Sequence, residues 1–85
     1  MVNSGKRTVT LGGKNYLLLR RVTSDSFDVF CVDDDRHVGS FSVGRAPDGH
    51  YPRHESARGG STSEEIRAIA IVGIHAGLTL ATLWN

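Results

Sequence analysis

Three observations point to an α+β fold in which an antiparallel sheet packs against one helix. The first half of the chain is a series of short, alternating apolar runs divided by turn-forming clusters. A double capping-box signature spans residues 61–65, and apolar residues at helical spacing follow it directly. The chain has 85 residues, room for one domain, and an apolar fraction of 39% before its ten glycines are counted. That composition belongs to a folded chain rather than a disordered one.

The expected sheet spans about residues 7–43 and has four strands. Residues 7–11 alternate through Thr8, Val9, Thr10 and Leu11, and Gly12-Gly13 supplies the positive φ angles of a tight hairpin. The chain returns over 16–22. Thr23, Ser24, Asp25 and Ser26 then turn it, because short polar side chains compete with the ladder for backbone hydrogen bonds. Strand three is 27–32, the three aspartates 33–35 form a turn, and strand four runs over 36–43.

The helix is expected over 63–76. Ser61 with Glu64, and Thr62 with Glu65, both have the spacing at which a hydroxyl caps a backbone N–H while the glutamate reaches back. On a helical wheel Ile66, Ile69, Ala70, Gly73 and Ala76 share one arc, and Gly77 followed by Leu78 looks like a left-handed stop. Residues 78–84 alternate in a way that suits a final short strand, which would make the sheet five-stranded. The apolar run 68–84 touches the length of a membrane span, but two glycines, an internal histidine and the helix stop argue for a core helix and no membrane.

Side-chain parity raises the question of association. In strand three Phe27, Val29 and Cys31 point one way and Phe30 and Val32 the other; strand two divides Tyr16 and Leu18 from Leu17 and Leu19. Both faces are apolar, as in a sheet covered on both sides, yet one helix is available. Which face meets the helix is open: the Phe27 set is one consistent core, and the opposite face joined by Phe41 and Val43 is nearly as apolar. The uncovered face, through Leu17, Leu19, Phe30 and Val32, or the outer helix edge, through Ile71 and Ile74, is expected to form a homodimer. A small chain with a marginal core gains stability from such an interface.

Charge is nearly balanced, at +1, but unevenly distributed. Residues 1–24 carry Lys6, Arg7, Lys14, Arg20 and Arg21 and no acid; 25–35 carry five aspartates and no base. If these segments are neighbouring strands, cross-strand ion pairs follow, each contributing roughly 0.2–1 kcal/mol. Residues 44–62 show no helical or strand period and read as a long basic loop, with a hidden strand near 50–54 that Pro52 would confine to an edge. Arg20, Arg21, Arg45, Arg53 and Arg58 form a candidate polyanion surface on which Tyr51 would stack against a base, the alternative reading being nucleic-acid binding.

Chemistry finds little support. His50 and His54 are spaced for a metal only on a helix, which Pro52 opposes, and 33–35 lack the spacing of a calcium loop. Cys31 sits in an apolar run that predicts a buried, inert thiol. No phosphate-binding glycine motif or nucleophile elbow is present. The expectation is therefore a non-enzymatic interaction module with no cofactor. A single cysteine and first residues without an apolar leader make the cytoplasm the expected location.

Overall fold

The computed structural model describes residues 6–21 and 25–76. Five strands, β1 (Lys6–Leu11), β2 (Lys14–Arg20), β3 (Ser26–Cys31), β4 (Arg36–Ala46) and β5 (Gly49–Ala57), precede one helix, α1 (Ser63–His75). The strands lie side by side in chain order, all antiparallel, with α1 against one face. This is the α+β architecture expected, because short turns can join only neighbouring antiparallel strands. Gly12 and Gly13 make the first turn with φ of 59° and 79°.

The opposed charge segments meet as the sequence suggests. Arg21 Nη2 lies 2.8 Å from Asp28 Oδ1, and Lys14 Nζ lies 3.4 Å from Asp34 Oδ2, which Arg36 also approaches at 3.3 Å. These hydrogen bonds from Arg36 and Lys14 hold the Asp34 carboxyl below its ordinary pKa, and Asp34 in turn raises that of Lys14.

The segment expected as a loop over 44–62 is mostly strand. β4 continues to Ala46, Pro47 and Asp48 turn the chain, and β5 pairs with β4 from Ala46↔Gly49 to Gly39↔Ala57. Single-sequence periodicity missed it because β5 carries an irregularity, with His54 at φ 54° where the register shifts. Pro52 is tolerated because β5 is the sheet's outer strand. It faces Val43, whose N–H donates to Asp25 O on the β3 side at 2.9 Å, so Val43 and Pro52 are a pair that exchanges no hydrogen bonds across β4–β5. The fifth strand is thus residues 49–57; residues 78–84, expected as a final strand, lie outside the described residues.

The core joins Val9, Leu18, Phe27, Val29, Cys31, Val38, Phe41 and Val43 of the sheet to Ile66, Ile69 and Ala70 of α1. Phe27 and Phe41, directly paired across β3–β4, stack with centroids 5.3 Å apart. The helix therefore covers the Phe27 face, and Phe41 and Val43 belong to that face rather than the opposite one. A bulge decides this: Cys31 faces Arg36 and Phe30 faces His37, but Val29 faces Gly39, leaving Val38 as an extra residue. Beyond it every β4 side chain is shifted by one, which brings Phe41 opposite Phe27.

α1 begins at the second of the two capping boxes. The Glu65 N–H donates to Thr62 Oγ1 at 3.2 Å, and the Thr62 N–H donates to Glu65 Oε1 at 2.8 Å. Four of the five residues placed on the inner arc, Ile66, Ile69, Ala70 and Gly73, are buried, while Ala76 is exposed at the C-cap. Thr62→Ala is expected to cost about 1 kcal/mol in urea unfolding with no change in m-value, since it removes one cap and exposes no new core. No helix among the described residues is long and apolar enough to cross a membrane.

Candidate functional site

The face of the sheet away from α1 carries the candidate site. Strand alternation sends Leu17, Leu19, Phe30 and Asp28 to this side, because their neighbours Leu18, Phe27 and Val29 are in the core. Leu17 faces Phe30 directly. With Leu19 and Val32 they line a shallow apolar depression closed at its rim by Asp35 and Cys31. The exposed large hydrophobics among the described residues are Leu19 at 39%, Val32 at 54% and Tyr51 at 44%, and all three belong to this face.

Beside the depression the face is polar but internally compensated. The Arg21 Nη2 and Nε groups donate to the two Asp28 carboxylate oxygens at 2.8 and 3.3 Å, a fork geometry that holds the Asp28 carboxyl below its ordinary pKa despite partial burial. Asp28 raises the Arg21 pKa in turn. His37 stacks on Phe30 with centroids 4.8 Å apart, and its Nε2 is 3.4 Å from Asp28 Oδ1. That nitrogen is buried without a hydrogen-bond partner among the described residues. The Ser26 and Ser42 hydroxyls meet at 3.2 Å.

At the other side of the same face, Tyr51 and Arg53 of β5 lie over Gly44 of β4. A Cβ on Gly44 would collide with the Tyr51 ring and come within 2.8 Å of Arg53 Cδ, so the glycine is what lets both side chains settle on the sheet. Arg53 Nη2 lies 3.1 Å from His54 Nε2.

The structure thus brings Leu17, Leu19, Phe30 and Val32 together as one surface. Ile71 and Ile74, the alternative set, are both partly buried on α1, and Ile74 packs against the core. The five arginines named for polyanion binding divide. Arg20 points to the helix side opposite Phe27, where burial lowers its pKa against the raising influence of Asp25, and Arg21 is held by Asp28. Arg45, Arg53 and Arg58 remain exposed along β4 and β5. The Asp28–His37–Phe30 grouping has no sequence signal: Phe30 and His37 meet through the register of the turn after β3, on the turn side of the bulge, and Asp28 lies beyond it.

Chemical alternatives gain no geometry. His50 is partly buried and faces Arg45, whereas His54 turns to Arg53, and no group of three or more His, Cys, Asp or Glu side chains converges among the described residues. Cys31 is buried, with Sγ 3.6 Å from Asp34 Oδ2. Comparison with protein families, with curated proteins and with solved structures finds no match to this chain.

Proposed function

We propose that the chain is a non-enzymatic interaction module that forms a homodimer through the open sheet face. The observation that carries this reading is the apolar depression of Leu17, Leu19, Phe30 and Val32 on the face of the sheet that no helix among the described residues covers. Two properties favour a second copy as the occupant. A two-fold interface sets the same surface against itself, so it disfavours any patch with uncompensated charge. Here the central acid, Asp28, is matched by Arg21 of the same chain, and beside it lie the His37 ring and the Ser26 and Ser42 hydroxyls. The size also fits. Five strands at about 4.8 Å spacing and the 32 × 29 Å breadth of the molecule give a face of roughly 700 Å², near the ~800 Å² per partner of a standard stable interface. A buried lone thiol suits the reducing cytoplasm.

Sedimentation velocity over micromolar concentrations tests this. The native chain is expected to be a dimer that persists in high salt, since burial of apolar area is not screened. Leu19→Asp combined with Val32→Asp is expected to give a folded monomer with an unchanged circular dichroism spectrum, because both positions are already exposed. Ile71→Asp should leave the dimer intact. A native chain that stays monomeric at hundreds of micromolar overturns the reading.

A further inference from the structure

We infer that His37 makes the proposed dimer sensitive to pH: a proton on its imidazole puts an unmatched positive charge on the open face of each copy and separates the pair. The inference rests on the dimer reading above and adds its regulation. His37 of β4 faces Phe30 of β3 and stacks on it with ring centroids 4.8 Å apart. Phe30 is also a wall of the apolar depression. The His37 Nε2 atom is buried, has no hydrogen-bond partner among the described residues, and lies 3.4 Å from Asp28 Oδ1. Asp28 in turn faces Leu19 of β2, which lines the depression as well. An interface that covers Leu19 and Phe30 therefore covers the imidazole, whose side chain is 29% exposed in a single copy.

The charges around the ring decide the sign. Arg21 donates to both Asp28 oxygens, at 2.8 and 3.3 Å, so carboxylate and guanidinium cancel. With a neutral imidazole this part of the face is balanced; with an imidazolium it carries one net positive charge. The two-fold axis then sets two such charges into one interface, where water no longer solvates or screens them. Arg21 holds the Asp28 carboxyl below its ordinary range, so Asp28 stays ionised across the pH range in which imidazoles change charge.

The other charged groups around His37 do not offset it. On β4 itself, Arg36 faces Cys31 on the helix side and lies 3.3 Å from Asp34. β2 presents Leu17 opposite Phe30. Past β5, the Arg58 N–H donates to Val38 O and its side chain is exposed; Asp35, exposed at the rim of the depression, has the opposite sign. The remaining histidines lie elsewhere. His50 faces Arg45 on the helix side, His54 lies beside Arg53, and His75 ends α1; none of them lines the depression. An imidazole that only packed on Phe30 would leave association independent of pH.

The test is sedimentation velocity of the full chain between pH 8 and pH 5.5 at fixed ionic strength. The dimer dissociation constant is expected to rise on the order of 100-fold, roughly tenfold for each of the two imidazoles that must lose a proton on association. Circular dichroism at each pH separates loss of the dimer from loss of the fold, and the chain is expected to stay folded throughout. His37→Gln, uncharged at every pH, should dimerise almost equally at both ends of the range. A chain carrying His50→Gln, His54→Gln and His75→Gln should keep the full response, which assigns it to His37 without altering the face. If His37→Gln does not dimerise at all, this triple variant decides: a retained response supports the inference and a lost one overturns it. A native dimer whose constant stays level or falls on acidification overturns the inference and leaves the dimer reading standing, as does an undiminished response in His37→Gln. A native chain that is monomeric at pH 8 overturns the dimer reading, and the switch with it.

Discussion

Gly39→Ala is expected to destabilise the fold by about 3 kcal/mol, roughly 15 °C in melting temperature for a domain of this size. Gly39 is the β4 residue that faces Val29 just past the bulge and Ala57 on β5. A Cβ there would run into the Ser56 carbonyl oxygen and come within 2.6 and 2.8 Å of Ile66 Cδ1 and Cγ1. Neither neighbour yields easily: one is backbone of the adjoining strand, and the other is a fully buried side chain of α1. The closeness of β4, β5 and α1 at this point therefore depends on the missing side chain. Gly13→Ala is the control, because Gly13 has φ 79° but open space around it. It isolates the cost of left-handed backbone, about 1–2 kcal/mol. Thermal and urea unfolding of both variants check the prediction; a smaller loss at Gly39 than at Gly13 would contradict it.

Phe27→Ala is expected to cost about 3–5 kcal/mol, a large part of the total stability of a small domain and enough to blunt its cooperative unfolding. Phe27 is fully buried, stacked on Phe41 with rings 12° from parallel. Removing it leaves a cavity between the two central strands, which cannot collapse without disturbing the β3–β4 register. Phe27→Leu should recover much of the loss by refilling the volume. A double-mutant cycle with Phe41→Ala is expected to show a coupling of about 0.5–1.5 kcal/mol, the contribution of ring geometry beyond buried area. Additive single losses would mean that the pair is ordinary packing.

The parts of the molecule that could be read beforehand are those governed by neighbours in sequence. The α1 boundary follows from Thr62 and Glu65, which cap the helix with their own side chains. Its buried face follows from 3.6-residue spacing, and the first hairpin from Gly12-Gly13. The apolar content of the second face was also legible from parity in β2 and β3, so the residues of the proposed dimer surface could be named without coordinates. Tyr51 and the loop arginines could be named too, but not their arrangement. Residues 49–57 look irregular alone because Pro52 and the shift at His54 break the period, and their pairing partner, not their own propensity, makes them a strand.

By itself, the sequence determined the class of fold, the helix and the two capping boxes at its start, the charge pairing between the first and second segments, and the presence of two apolar sheet faces. Each depends on residue type and spacing within a few positions. The tertiary structure decided which face of the sheet the helix covers. A single extra residue, Val38, moves Phe41 and Val43 to the Phe27 side, where both join the core. The physical reason is that a strand's side chains alternate with period two, so one unpaired residue reverses every orientation beyond it. A bulge forms only where the facing strand and the helix reward it. Here that reward is the Phe27–Phe41 stack in the core shared with α1, a contact between residues far apart in the chain.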